Sequence, residues 1–426
     1  MPNVILTPQM YAKLMLMELG DPQYLHVIRN LMPDFTPEFG KKGYKIGDTL
    51  SVRKPQRFTV SNGMPYDPQA ITNIRVPLKV DKFNQIAYEW DSVEKTLFLN
   101  EAMELYVRPA CSGLSNTINA QAAQYVAQNT FNCAGAPGTV PTDFDTYTSA
   151  EDMLIEQGLG QNEDLVCVIN RKMSSKFVGA SRALFNDVPI ISTQQKEGRI
   201  VNQLGYRFEI DQTIYAQTTG GYNNVPAING ANQSSTTGDG NNGTMSLLLS
   251  GFTASTGTVN YGDKFQIVGV YAVHPQTRAS TGRLQWFTVL SPGTTTADVS
   301  GNMTLLVAPG MTPSGQYQNV SALPATGAQV LFWGAAAATP LSYASLTTLQ
   351  ALVIHKQSFA FLSVPLNDPD PGMGVIVSSQ KEPSTGLVLS VMRGFDPVKR
   401  IEINRIDTLW GIGPLYREAA CVICGS

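Results

Sequence analysis

Charge is scarce in this sequence. Lys, Arg, Asp and Glu together make up 15% of its 426 residues, against about 25% in an average soluble domain. The 30 basic and 33 acidic side chains leave a net charge of −3, so the basic excess of a dedicated nucleic-acid binder is missing. Histidine is rarer still. His26, His274 and His355 lie far apart, and none stands in HExxH or another zinc spacing. The five cysteines, Cys111, Cys133, Cys167, Cys421 and Cys424, are odd in number and scattered, the pattern of free thiols in a reducing compartment. Their one close pair, CVIC at 421–424, ends an apolar, strand-like segment instead of opening a helix, so it reads as structural and not redox-active. No apolar run reaches the ~18 to 20 residues of a membrane helix. The opening MPNVILTPQMYAKLMLMELG has neither a cationic leader nor a small-residue cleavage site, which predicts folding in a cytoplasm without secretion. The length is enough for roughly two to three domains with large cores that need no disulfides or metals.

Catalytic signatures are also missing. There is no Walker loop, no GxGxxG after a strand, no GxSxG elbow and no EF-hand loop. The acidic pairs Glu151/Asp152 and Glu163/Asp164 fall at a helix start and in a loop before a strand, where they read as capping and solvated charge. Asp368 and Asp370, in NDPDPG beside Asn367, form a Pro-rich turn or a cation site. Sequons at Asn232 and Asn242 carry little meaning without a signal peptide. No catalytic, cofactor-binding or metal-ligating residue is assigned, and the chain is not expected to be an enzyme.

What is present is a strongly uneven texture. Between residues 212 and 355 only Asp239, Asp263, Lys264, Arg278, Arg283 and Asp298 are charged, leaving 57 of the 63 charges to the other 282 residues. The same stretch is rich in Gly, Ser, Thr, Asn and Gln, and its apolar runs are short: MSLLLSGF, DKFQIVGVYAV, RLQWFTVL, MTLLVA and AQVLFWG. Short strands between turn clusters predict an inserted all-β barrel or sandwich over 221–336.

The flanks mix helices and strands. DTLSVRKPQRFTV (48–60) and AITNIRVPLKVDKFNQIAYEW (70–90) both alternate and predict a long two-stranded hairpin, whose cations Arg53, Lys54, Arg57, Lys79 and Lys82 argue against burial. A charged ribbon of that kind is marginal alone and should lie on something, most simply another copy of the chain. Leu114, Ile118, Ala122 and Val126 mark one face of a helix within 91–129, with Pro109 implying a kink or a junction of two helices. Ser149 as N-cap opens a helix ending at Gly158, DLVCVI (164–169) is a buried strand, and RKMSSKFVGASRALF (171–185) is an amphipathic helix. Its Arg171, Lys172, Lys176 and Arg182 form a solvated face, or one that meets phosphate. A hairpin over 198–217, a helix leading into a strand over 342–366, and three closing strands complete the prediction. Two of those strands form a meander around GFDP, and the last begins near Tyr416.

Three stretches resemble one family. GDKFQIVGVYAVHPQTRASTGRLQWFTV (262–289) is similar to the inserted β-barrel of the major capsid proteins of tailed bacteriophages in the group of the Salmonella phage P22 coat protein. VMRGFDPVKRIEINRIDTLWGIGPLYREAACVI resembles their closing strands, and YVRPACSGLSNTINAQAAQYVA (106–127) resembles their long spine helix, proline included. The resemblance runs over nearly the whole chain in the right order. It implies an α+β fold of the Hong Kong 97 type: an N-terminal arm (1–46), an extended loop (47–90), a peripheral domain with the spine helix (91–148), an axial domain in two parts (149–220 and 337–380) around the barrel (221–336), and C-terminal strands (381–426). The implied function is a structural subunit that assembles as hexamers and pentamers into an icosahedral shell in the host cytoplasm. Implied partners are a scaffolding protein, a portal protein, an optional decoration protein and packaged double-stranded DNA held non-specifically, with no membrane and no cofactor. Arg53, Lys54, Arg57, Lys79, Lys82 and Asp239 are the interface candidates, and Arg171, Lys172, Lys176 and Arg182 the inner-face DNA candidates. In the family a protruding barrel loop carries paired charges, whereas here about 231–244 holds Asp239 alone. Polar contacts or a decoration protein would replace those pairs. The competing readings are an encapsulin-like compartment, which shares the fold but is typically shorter and lacks the barrel, and a β-rich surface protein.

Overall fold

The computed structural model describes residues 25–33, 49–58, 60, 68–69, 71, 74–91, 107–160, 164–181, 205–222, 224–235, 240–333, 345–366, 374–382 and 385–425. In chain order they form α1 (His26–Arg29), β1 (Met32–Pro33), β2 (Thr49–Arg53), β3 (Arg75–Lys79), β4 (Lys82–Asp91), α2 (Arg108–Asn129), β5 (Asn132–Ala134), α3 (Phe144–Glu156), β6 (Leu165–Ile169), α4 (Arg171–Ser181), β7 (Tyr206–Ile210) and β8 (Ala216–Thr218). Short strands follow: β9 (Ala227–Ile228), β10 (Met245–Ser250), β11 (Thr258–Asn260), β12 (Lys264–Val273), β13 (Ser280–Val289), β14 (Thr294–Thr296), β15 (Met303–Ala308) and β16 (Val330–Phe332). The chain then gives β17 (Thr347–His355), β18 (Phe359–Val364), β19 (Val375–Lys381), β20 (Val388–Asp396), β21 (Ile401–Pro414) and β22 (Ala420–Gly425). The described residues fall into two compact units, one drawn from 1–52, 76–122 and 359–413, the other from 53–75, 123–358 and 414–426.

The first unit is built on a sheet of order β1-β18-β21-β20-β19, with β4 also paired to β21. The predicted meander is present. β20 and β21 pair from Ser390↔Asp407 to Asp396↔Ile401, and the Asp396 carboxylate accepts the Val398 N–H at 2.9 Å to close the turn. The long hairpin is shorter than expected, because only β2 and β3 pair with each other. After Lys79 the chain leaves the ribbon, and β4 runs antiparallel to β21 from Trp410↔Lys82 to Ile401↔Asp91. Alternation along 75–90 reports that one face is covered but not which strand covers it. Val52, Val76 and Leu78 are buried, while their neighbours on β2 and β3 face outward.

Helix α2 follows the predicted stripe: Leu114, Ile118, Ala122 and Val126 are all buried. Pro109 lies in its first turn, where a missing N–H is tolerated. The residues before 107, which would show a kink or a junction, lie outside the described residues. Asn119, inside the same buried face, accepts the Val27 N–H at 3.0 Å and so anchors α1.

In the second unit a mixed sheet of order β5-β22-β17-β6-β7 has β8 paired at the far end of β17. Helices α3 and α4 supply Tyr147, Ala150, Leu154, Met173 and Phe177 to a core shared with Cys167, Ile169, Val353, Cys421 and Ile423. Three expectations are corrected here. Where a helix leading into a strand is expected over 342–366, the described residues form two strands, β17 and β18, so the helix is replaced and the strand stands. Gln350 to His355 are buried without a break, and a strand covered on both faces shows a continuous apolar run that periodicity cannot tell from a helix. Of the expected 198–217 hairpin, 198–204 lie outside the described residues; among the described ones β7 runs parallel to β6 and β8 pairs with β17. Helix α3 starts at Phe144 after the extended Asp143, and Ser149 donates inside it to the Thr146 carbonyl at 2.9 Å. The last strand, placed near Tyr416, starts at Ala420 after a short 3-10 turn.

Six of the remaining strands close into a barrel of order β16-β12-β13-β15-β10-β9, and β11 pairs separately with β14. Closure is completed by a bridge between Ala227 and Gln329 and by hydrogen bonds Ile228 N to Ala328 O and Val330 N to Pro226 O, both 2.9 Å. β10 and β15 alternate buried and exposed residues, turning Leu247, Leu249, Leu305 and Val307 into a core with Phe265, Phe287 and Phe332. A closed sheet has no free edge to recruit stray strands, which suits a neutral, Asn- and Thr-rich exterior.

Candidate assembly surfaces

The hairpin cations separate into three environments. Arg53 and Lys79 are exposed on β2 and β3. Lys54 and Arg57 lie on the segment before β22: Lys54 Nζ is 4.5 Å from the Tyr416 ring centroid, and Arg57 Nη2 is 2.9 Å from Glu418 Oε1. Lys82 is the first residue of β4, not part of the ribbon, and its ammonium sits 4.8 Å from the Trp410 ring centroid. Burial lowers its pKa, with Asp81 opposing. Asp239 lies outside the described residues.

Helix α4 presents Arg171, Lys172, Ser175 and Lys176 outward and buries Met173, Ser174 and Phe177. The three described basic candidates therefore share one exposed face, and Arg182 lies outside the described residues. Asn170 caps the helix by accepting the Met173 N–H at 2.7 Å. Asn367, Asp368 and Asp370 are also outside the described residues. The cysteines are all buried. Desolvation pushes Cys421 and Cys424 up to about 12, which works against thiolate chemistry. His274 and His355 accept backbone N–H groups in their own turns.

The sequence reading missed the joint between the barrel and the C-terminal end of α2. That helix has no basic residue in its last turn, so its terminal carbonyls lack a local counter-charge. Lys264, the first residue of β12, provides one from the barrel, with Nζ donating to the Ala127 carbonyl at 2.9 Å. Thr288 on β13 donates to the Gln128 carbonyl at 2.8 Å, and Trp333 Nε1 donates to the Gly135 carbonyl at 3.0 Å. Asp263 is held by Gly220 N and Asn260 N at 2.9 Å and by Gln217 Nε2 at 3.3 Å. Arg283 reaches from β13 to Glu156 at 3.2 Å and to Asp152 at 3.8 Å on α3. Asn242 donates to the Pro414 and Leu415 carbonyls at 3.2 and 2.5 Å. The one available signal was that Asp263 and Lys264 are adjacent charges in a segment with almost none.

Burial dominates at Asp263 and raises its carboxyl to about 6, despite three hydrogen bonds and Lys264, which pull the other way. The folded chain therefore binds this proton more tightly than the unfolded chain, whose Asp titrates near ~3.9. Its contribution to stability falls as pH rises from about 4 to about 6 and is level above that. The stability difference between wild type and Asp263→Asn, measured by urea denaturation across this range, should fall accordingly. A difference independent of pH would contradict this account.

These surfaces are joints and outward faces without a catalytic cluster: among the described residues no group of three or more His, Cys, Asp or Glu is placed to hold a metal. No curated protein sequence matches the chain. Structural similarity extends to Mycobacterium phage Che8, at 12% identity over 89% of this chain and 85% of that one with a TM-score of 0.43. It extends also to the capsid of the cyanophage P-SCSP1u, at 10% identity over 93% and 86% with a TM-score of 0.44. The CUS-3 coat protein I-domain matches 26% of this chain and 96% of its own length at 22% identity, with a TM-score of 0.19. The family model described as P22 coat protein, gene protein 5, matches residues 57–421. With that span covering both units and the whole barrel, the chain belongs to the P22 coat protein family of phage major capsid proteins and has their Hong Kong 97-type fold.

Proposed function

We propose that this capsid protein assembles as hexamers and pentamers into an icosahedral head around double-stranded DNA, with a scaffolding protein and a portal, inside the host cytoplasm. The family match over 57–421 carries the reading and disfavours the compartment alternative. The division into arm (1–46), extended loop (47–90), peripheral, axial and inserted barrel (221–336) parts is proposed with it. In the shell, Arg53, Lys54, Arg57, Lys79, Lys82 and Asp239 set register between neighbours. The described barrel leaves few charges for that task. Asp263 and Lys264 are buried and Arg283 is paired to α3, so the barrel meets its neighbours, or a decoration protein, through polar and apolar groups. The cationic face of α4, with Arg182 beyond it, touches packaged phosphate without reading sequence.

Imaging of the chain expressed with and without a scaffolding protein tests the reading. Uniform closed shells that require the scaffold are expected. Cargo-loaded cages without scaffold would favour the compartment, and monomers under both conditions would overturn both.

A further inference from the structure

The strands β2 and β3 belong to the first unit up to Val52 and from Val76, and the intervening tip groups with the second unit. Within that second unit the tip is held by the Arg57–Glu418 ion pair at 2.9 Å, by Lys54 over the Tyr416 ring, and by long hydrogen bonds of Gln56 and Gln69 to Gln316 at 3.5 and 3.4 Å. Three features mark this contact as incomplete in a single copy. Glu418 is only 8% exposed, yet its Oε2 has no hydrogen-bond donor among the described residues, and a buried carboxylate with an unused acceptor favours any further donor. Beside the pair lies a cavity of about 610 Å3 whose lining includes Arg57, Phe58, Val60, His355, Gln357 and Glu418. The tip's apolar side chains are uncovered, with Phe58 63%, Val60 86% and Ile71 76% exposed. Large apolar groups in water beside an unfilled cavity lack the packing partners that a finished contact supplies.

The partner whose chemistry fits is a second copy of this chain. Every copy carries the same basic tip and the same Glu418 carboxylate in the groove, so a neighbour offers Arg57 the charge it already meets at home, and association covers the apolar tip as well. We propose that the Arg57–Glu418 pair is an exchangeable clasp. It is closed within the chain in the unassembled subunit and remade between neighbours in the shell, Arg57 of one copy meeting Glu418 of the next. The proposal rests on the shell-subunit reading and adds a restraint to it. The intrachain form already neutralises the Glu418 carboxylate through Oε1 and leaves only Oε2 for an incoming loop, so full engagement between copies waits until the clasp opens. Replacing one ion pair by an identical one leaves the balance to subunit concentration and to the extra apolar burial. The contact is head-to-tail, so it forms a ring where the rotation between copies closes, as the hexamers and pentamers of the proposed shell require.

Complementary charge variants test this. Arg57→Glu and Glu418→Arg subunits are prepared separately, with native fold checked by circular dichroism and Glu418→Lys used if Glu418→Arg does not fold. Each alone faces like charges both within the chain and between copies, and should yield at least roughly tenfold fewer shells than wild type. In an equal mixture the altered tip of one variant meets the altered groove of the other, while the native tip meets the native groove, so assembly into six-membered rings, in which the two variants alternate, should return, whereas a five-membered ring keeps one like-charged junction. If the Arg57→Glu/Glu418→Arg double variant assembles but the mixture does not, the pair is intrachain only and the proposal fails. It fails also if either single variant assembles like wild type. A wild-type control that forms no shells under the same conditions overturns the shell-subunit reading itself, which separates the two failures.

Discussion

Lys264→Met is expected to destabilise the second unit by about 2 to 4 kcal/mol, through loss of a charge-assisted hydrogen bond and of a cation at a helix C-terminus. Two effects oppose each other. Methionine keeps the stem volume and removes the penalty of burying an ammonium, a penalty visible in the lowered pKa of Lys264, for which burial is the leading cause. Against this, the Ala127 carbonyl loses its 2.9 Å donor and the Trp333 ring loses the charge 5.8 Å from its centroid. The losses dominate because one partner is removed while the carbonyls it served stay buried. The nearby Asp263 also loses a cation that pulls its carboxyl down, so its folded-state pKa rises further. Ionising it then costs more, and the deficit of Lys264→Met should be larger at pH 7 than at pH 5. Denaturation midpoints at the two pH values, with amide exchange at Ala127 to Asn129 and along β12, measure both effects. An unchanged midpoint with unchanged exchange would show that the ammonium contributes nothing to the joint.

This joint illustrates where sequence reading stops. Periodicity recovers what depends on one element at a time. The α2 stripe of Leu114, Ile118, Ala122 and Val126, the buried β6, and the alternation of β10 and β15 are all legible, because covering one face imposes a repeat on that element's own residues. Partners across the sequence leave no such repeat. Lys264 and Ala127 are 137 positions apart, and nothing local to DKFQIVGV says that its lysine faces a helix end. The same limit explains the ribbon: RVPLK and KFNQIAYEW read as one alternating run, yet β3 stays with β2 while β4 joins β21. In β17 the limit is different. Burial on both faces erases the period itself, so Gln350 to His355 resemble a helix in apolar content while Thr347, Thr348, Val353 and Ile354 carry the β-branching that favours a strand. For the assembly surfaces the cationic character of the loop was legible. That Arg57 and Lys54 reach the Tyr416–Glu418 segment, and that Lys82 does not belong to the ribbon, was not.

Trp410→Ala is expected to cost about 3 to 5 kcal/mol, the range for emptying a fully buried aromatic site. Trp410 is fully buried on β21, with its ring 5.7 Å from that of Phe361 on β18 and its Nε1 donating to Asn84 on β4 at 2.8 Å. Alanine therefore opens a cavity at the crossing of three strands and leaves the Asn84 carbonyl without its donor. The Lys82 ammonium loses the ring beneath it, which removes a further cation–π contact. The consequence reaches the β2–β3 hairpin through the residues that follow. At Gly411 a side-chain carbon would overlap the Lys79 carbonyl, and at Gly413 it would overlap Leu78. The strand after Trp410 thus lies against the end of β3 with no room for a side chain, and it fixes where the hairpin leaves the sheet. Loosening β21 at Trp410 should let β2 and β3 move from their register, so shell yield should fall by more than the lost stability alone implies. Calorimetry on the subunit and shell counts from the same preparation separate the two effects. If Trp410→Ala lowers the first unit's transition but assembles as well as a control of equal stability loss in the barrel, Phe287→Ala, then β21 supports the sheet without positioning the loop.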